Sequence, residues 1–262
     1  MIMPIKSRWL ANQWHYLLIA IMFFTRIPIH FKQFDDADLN KSTRFFPLVG
    51  ILVGAIGAIV FWLCDSVLPL EVALLLSMLA TIVMTGAFHE DGLADAVDGL
   101  GGGWSREQVL TIMTDSRIGS YGAIGLVMVL LIKYQSLSSQ EATLIPMVLI
   151  AGHALSRLCA VLVMFTQSYV KAEGKSKPLA TQLTVNELLI AAFFGLFPLI
   201  FLKVTLLAAL LPVALVWFVF SSKIKSRIEG YTGDCLGAMQ QLTEVAFYVG
   251  LLASATFFNQ IL

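Results

Sequence analysis

Long apolar runs separated by short polar pieces set the pattern of this chain, and the runs have the length that crosses a bilayer. Residues 46–63, 72–88, 120–137, 144–165, 188–202, 205–220 and 245–262 each read as an apolar helix, close to the roughly 20 residues that a spanning helix needs. An earlier apolar piece, 14–24, is shorter. Trp9, Trp14 and Tyr16 beside it suit the headgroup level, which predicts an interfacial or re-entrant helix. The stretch 31–44, with Asp35, Asp36, Asp38, Lys41 and Arg44, reads as a loop, and 104–115 as a surface helix. The expected fold is an all-α polytopic membrane protein of about seven transmembrane helices. A short N-terminal interfacial helix precedes them, and residues 1–262 form one integral membrane domain.

Composition strengthens this picture. The chain is 58% hydrophobic and 13% charged, against about 25% charged in an average soluble domain, and its mean hydropathy is +0.83. The net charge of zero removes any global electrostatic case for nucleic acid. Cys64, Cys159 and Cys235 are scattered and read as small core residues, without a disulfide framework or thiolate metal set. The 14–24 segment has no small-residue cleavage site after it, so a cleavable signal peptide is not expected.

Sorting the basic residues predicts sidedness, because short cytoplasmic loops collect Lys and Arg. With the N-terminus inside, Lys6, Arg8, Arg26, Lys32, Lys41, Arg44, Arg106, Arg117, Lys171, Lys175, Lys177, Lys223, Lys225 and Arg227 fall on the cytoplasmic side. Lys203 falls outside, with Lys133 near that edge. An inner-membrane protein with its polar loops toward the cytoplasm and its C-terminus external is the expectation.

One stretch stands apart. From His89 to Gly103 the chain places Glu90, Asp91, Asp95 and Asp98 directly after an apolar run, with no Lys or Arg among them. On a helix Asp91, Asp95 and Asp98 fall within an arc of roughly 60° and span roughly 10 Å of axis, with Glu90 to one side. Carboxylates so spaced repel unless a cation lies between them. Oxygen-only ligands point to magnesium, manganese or calcium, and the alternative is a solvated acidic face. A hard cation beside basic residues most readily handles phosphates.

Other groups join this candidate site. Arg117, beside Asp115 and Ser116, could offer a planar fork to a phosphate or simply anchor the loop. Asp234, between Gly233 and Cys235, could complete a metal site, orient a sugar hydroxyl or act as a turn residue. His153 and Arg157 share one face of an apolar helix, as a functional or a structural pair. Glu244 is read as favouring a helix N-terminus. Gly99 to Gly103 fit no Walker or Rossmann pattern and read as a hinge or a close approach of backbone to ligand. A cation transporter would need corresponding broken segments in two repeats, and no convincing repeat is present.

At these residues the chain resembles the adenosylcobinamide-GDP ribazoletransferase family, the cobalamin-5'-phosphate synthases. The likeness lies in His89-Glu90-Asp91-Gly92-Leu93-Ala94-Asp95-Ala96-Val97-Asp98-Gly99 and in Ile112-Met113-Thr114-Asp115-Ser116-Arg117-Ile118-Gly119-Ser120-Tyr121-Gly122. It extends to Phe23-Phe24-Thr25-Arg26-Ile27-Pro28, Phe46-Pro47-Leu48-Val49-Gly50 and Gly233-Asp234-Cys235-Leu236-Gly237-Ala238, and so covers nearly the whole chain. The familiar phosphatidyltransferase pattern of Asp-Gly, Ala-Arg and spaced aspartates is absent.

The resemblance implies a magnesium-dependent inner-membrane enzyme, with Mn2+ a conceivable substitute. It would join adenosylcobinamide-GDP to α-ribazole or its 5'-phosphate and release GMP. It implies Glu90, Asp91, Asp95 and Asp98 around the metal, and Arg117, Ser116, Arg157 and Asp234 toward substrate. Asp95, His89 and Asp115 are the candidates for taking the hydroxyl proton. The catalytic loop and helix, about 89–118, would face the cytoplasm. The expected partners are the two substrates and the bilayer, with no nucleic acid, and a homo-oligomer is compatible with these features.

Overall fold

The computed structural model describes residues 5–30, 35–170 and 183–261; the loop with Lys171, Glu173, Lys175 and Lys177 lies outside the described residues. Every regular element among the described residues is a helix, with no strand and one isolated bridge, Tyr169 with Tyr231. The helices are α1 (Ile5–Phe24), α2 (Asp36–Ser42), α3 (Phe46–Asp65), α4 (Leu70–Thr85), α5 (Phe88–Gly102), α6 (Arg106–Ile112), α7 (Ser120–Ser138), α8 (Ile145–Thr166), α9 (Val185–Leu196), α10 (Leu210–Ile228) and α11 (Gly233–Ile261). The fold is that of an all-α polytopic membrane protein.

The span count differs from the expectation of seven. Among the described residues four helical stretches are long and apolar enough to cross a membrane, Asp36–Asp65, Ser120–Ser138, Ile145–Thr166 and Leu207–Ile228. A fifth crossing is counted if α4 and α5, bent by 86°, form one broken span. The expected span at 188–202 is α9, which passes at Phe197 into a short 3-10 turn containing Pro198. Pro lacks the N–H that would continue the ladder. The segment expected as a loop before α3 is helical instead, because the Asp35 carboxylate accepts the Asp38 N–H at 2.7 Å and caps α2. The last helix begins at Gly233 rather than near 245, so Glu244 lies in its interior and not at its N-terminus. Lys133, expected near an external edge, is 2% exposed.

Helix α8 is the centre of the molecule, with nearly every side chain from Val148 to Met164 buried. Helix α3 crosses it closely at Gly50 and Gly54. A Cβ on Gly54 would lie 2.7 Å from the Ile150 Cα and 2.8 Å from the Leu149 carbonyl oxygen. The same helix turns Gly57 to α4, where the Ser77 hydroxyl donates to the Gly57 carbonyl at 2.8 Å. Small residues thus give the close backbone approach on which helix association in lipid depends. Arg44 pairs with Glu187, which also closes a capping box with Thr184 at the start of α9. This pair ties α9 to the turn before α3.

Gly54→Val should lower the melting temperature in detergent, at a cost of about 1–3 kcal/mol, because the clash is with backbone. Gly57→Ala should cost less, since its nearest neighbour is the Thr81 methyl at 2.8 Å. Thermal unfolding followed by circular dichroism compares the two.

Candidate functional site

The acidic stretch becomes a helix of its own because the chain turns sharply before it. Gly86 and Ala87, with φ of 65° and 58°, both adopt the left-handed conformation, which costs a non-glycine residue about 1–2 kcal/mol. The Arg26 side chain packs against Gly86 where a Cβ would stand, and the Arg26 N–H donates to the Met84 carbonyl at 2.8 Å. Helix α5 therefore does not inherit its direction from α4.

Its direction comes from two contacts. Gly92 and Gly237 let α5 and α11 meet closely: a Cβ on Gly92 would lie 3.1 Å from the Asp234 Cα, and one on Gly237 3.1 Å from the His89 carbonyl oxygen. Asp234 is thereby brought against the turn of α5 that carries Asp91. The second contact is Asp98, which is 8% exposed. Its carboxylate accepts the Gly119 N–H at 2.7 Å and the Gly122 N–H at 2.8 Å. It caps α7, where N–H groups lack helical partners and the dipole favours negative charge. A Cβ on Gly119 or Gly122 would overlap that carboxylate, so glycine is needed at both.

The four acids thus have different surroundings. Asp91 is exposed and Asp95 half-buried. Glu90 is 7% exposed, and its Oε1 accepts from Gln241 Nε2 at 2.8 Å. Among the described residues no three His, Cys, Asp or Glu side chains converge as a metal set. Asp91 and Asp95, one turn apart, do fit what magnesium uses, which is one or two carboxylates completed by water and phosphate oxygens.

The remaining expected residues fall into two groups. In the loop between α6 and α7, Asp115 Oδ1 accepts the Arg117 N–H at 3.0 Å, and Oδ2 accepts Arg117 Nη2 at 2.7 Å. The guanidinium holds the Asp115 carboxyl down at about 2, and the carboxylate raises Arg117 further. A carboxylate so stabilised is a poor base. The Arg117 side chain is 86% exposed, and Ser116 beside it is exposed. Asp234, half-buried, accepts the Thr232 hydroxyl at 3.2 Å.

His89 and Arg157 lie behind the acids instead. His89 is buried and stacks on Phe24 at a 16° interplanar angle, with centroids 5.9 Å apart. Arg157, 3% exposed, donates to the His153 carbonyl at 3.0 Å.

Sequence reasoning missed the buried polar set that backs this site. Glu244 has no exposure. Its Oε1 meets Lys133 Nζ at 2.6 Å and the Tyr248 hydroxyl at 2.9 Å, and its Oε2 faces His153 Nδ1 at 3.3 Å. Gln240 also donates to it and to the Ser156 hydroxyl oxygen. The signal was available: Gln240, Glu244 and Tyr248 recur four residues apart, with Gln241 beside them, in a largely apolar helix, and ionisable groups there face the bundle interior.

Comparison with known proteins is consistent across the chain. The family model for cobalamin-5-phosphate synthase matches residues 16–252. A relative from Shewanella frigidimarina, named adenosylcobinamide-GDP ribazoletransferase, is 46% identical over 256 residues, covering 95% of this chain and 97% of its own. A relative of the same name from Ralstonia pickettii is 45% identical over 251 residues, covering 93% and 97%. No solved structure matches the chain.

The capping geometry gives a stability prediction. Asp98→Ala should destabilise the protein by about 1–3 kcal/mol, since two N–H groups lose their acceptor. Asp98→Asn, which keeps a carbonyl oxygen, should lose less. Thermal melts of both variants in detergent check the order.

Proposed function

The chain belongs to the cobalamin-5-phosphate synthase family, and from that premise we propose that it performs the transfer for which its relatives are named. In that reaction a ribose hydroxyl of α-ribazole, or of its 5'-phosphate, attacks the phosphorus attached to cobinamide in adenosylcobinamide-GDP. The bond from that phosphorus to the bridging oxygen breaks, GMP leaves, and the hydroxyl proton passes to a base. The observation that carries this reading is the division among the acids of α5. Asp91 and Asp95 are the less buried pair, Asp234 lies alongside, and the loop with the exposed Arg117 fork runs into the start of α7 that Asp98 caps.

Asp91 and Asp95 would hold magnesium, completed by water and diphosphate oxygens. When bound, the ion neutralises charge on the transferring phosphoryl and on departing GMP. Arg117, held in orientation by Asp115, would take phosphate oxygens through its planar fork, with Ser116 beside it. Asp234 would orient the ribose hydroxyl.

Of the three candidates for accepting the proton, His89 is stacked in the core and Asp115 is bound to Arg117. The excess of basic residues in the loops that share this side supports a cytoplasmic orientation in the inner membrane.

Membranes containing the protein, incubated with adenosylcobinamide-GDP, α-ribazole and magnesium, should form a corrinoid product and GMP. Absence of both sinks the reading. Chelation should stop turnover and added magnesium restore it. Asp91→Asn or Asp95→Asn should reduce turnover by about 10²–10³-fold while the protein still inserts. Full activity in either variant would remove that residue from the metal site.

A further inference from the structure

Trp104 is 93% exposed, the highest value of any large apolar side chain among the described residues. It stands between the end of α5 and the start of α6. A single exposed apolar side chain needs no explanation, but Trp104 is one wall of a cavity of about 360 Å³, within the range of small-molecule sites. Glu107, Gln108, Thr111 and Ile112 of α6 and Gly102 of α5 form the rest. The wall is fixed in place. The Trp104 N–H donates to Gln108 Oε1 at 2.9 Å and the Ser105 N–H to the same oxygen at 3.3 Å, inside the capping box that starts α6. The floor is bare because Gly102 has no side chain; the Ile112 Cδ1 lies 3.5 Å from where its Cβ would stand.

Two links tie this cavity to the proposed diphosphate site. Gly102 follows Asp95 by seven residues of the same helix, which is about 10 Å of axis and a net rotation of about 20°. Asp91, Asp95 and Gly102 therefore lie along one face of α5. From the other side, the Asp115 N–H donates to the Ile112 carbonyl at 3.1 Å, and the Asp115 carboxylate holds Arg117. A nucleoside diphosphate lying along α5, with its phosphates at the aspartates, reaches the cavity with its base. Trp104 offers that base an indole face, and the Glu107 carboxylate offers acceptors only. Its own N–H and the Ser105 hydroxyl hold the Glu107 carboxyl below its ordinary value, so it is ionised at neutral pH. Guanine presents two adjacent donors on one edge, N1–H and the 2-amino group, which match a carboxylate. Adenine presents an acceptor at N1, and the base of a benzimidazole nucleoside carries no N–H donor.

We propose that the cavity between Trp104 and Glu107 binds the guanine of the GDP moiety, the indole stacking on the base and the carboxylate accepting its N1–H and 2-amino hydrogens. The proposal rests on the reading of the reaction given above and names where the leaving nucleotide is recognised.

The test titrates GMP, IMP and AMP into the full-length protein in detergent, following tryptophan fluorescence, beside steady-state kinetics and thermal melts of Trp104→Phe, Trp104→Ala and Glu107→Ala. Wild type should show saturable quenching by GMP and bind it at least about tenfold more tightly than AMP, with IMP, which lacks the 2-amino group, between them. Trp104→Phe should lose the quenching while GMP still inhibits turnover, because the phenyl ring still stacks. Trp104→Ala should raise KM for adenosylcobinamide-GDP about tenfold, with kcat and KM for α-ribazole within about threefold of wild type. Glu107→Ala should bring GMP and AMP to within about threefold of each other. Both side chains are exposed, so the variants should melt as wild type does. Equal affinity of wild type for GMP and AMP overturns the proposal, as does a Glu107→Ala variant that keeps the preference. A Trp104→Ala variant with unchanged KM overturns it too, and a lowered melting temperature in that variant would mark Trp104 as a bilayer anchor instead. Wild-type protein that is quenched by GMP but makes no corrinoid product would refute the reaction and leave the guanine subsite standing.

Discussion

A carboxylate with no exposure, Glu244, is the constraint on which the rest of the structure depends. In a bundle that lipid surrounds, an ionised group must find its partners inside. Glu244 finds Lys133 on α7 and His153 on α8, with Tyr248 and Gln240 on its own helix. Those contacts fix the relative height of α7, α8 and α11. Breaking one partner of such a buried pair costs about 3–5 kcal/mol, far more than the pair adds over apolar packing. The network therefore specifies one arrangement more than it adds stability, and glycines complete that arrangement where backbones cross: Gly50 and Gly54 on α3, Gly92 on α5 and Gly237 on α11.

The acidic helix rests on this frame through its buried members. Asp98 holds the start of α7, and so the end of the loop bearing Arg117, through two backbone N–H groups. Glu90 reaches Gln241 on α11, next to the Glu244 network. Two carboxylates, Glu90 and Asp98, are held by the protein, and Asp91 and Asp95 are the less buried two. On the proposed reading this division gives magnesium a pair of aspartates and leaves room for diphosphate oxygens to complete the shell.

How much of this was legible in the sequence varies by element. The spans now seen as α3, α7 and α8 follow from apolar length alone, and their observed bounds lie within a few residues of those expected. The α-helical spacing of Asp91 and Asp95 was also readable, because period 3.6 needs no tertiary information. What could not be read was which carboxylate turns inward. Glu90 and Asp98 look like Asp91 and Asp95 in a linear chain, and only the crossing with α11 and the N-terminus of α7 separate them. Glu244 was misplaced because the polar residues after Gly233 hid an early helix start. The break at Pro198 and the turn at Ala87 hid in apolar sequence, where hydropathy registers length but not direction.

On the proposed reading α5 divides its four acids between structure and metal. The direct measurement is an experimental structure of the protein with manganese in place of magnesium and adenosylcobinamide-GDP bound, using the anomalous signal of the ion. Manganese is expected at about 2.1 Å from carboxylate oxygens of Asp91 and Asp95, with Glu90 still on Gln241 and Asp98 still on the Gly119 and Gly122 N–H groups. Manganese coordinated by Glu90 or Asp98, with Asp91 or Asp95 out of reach, would contradict it.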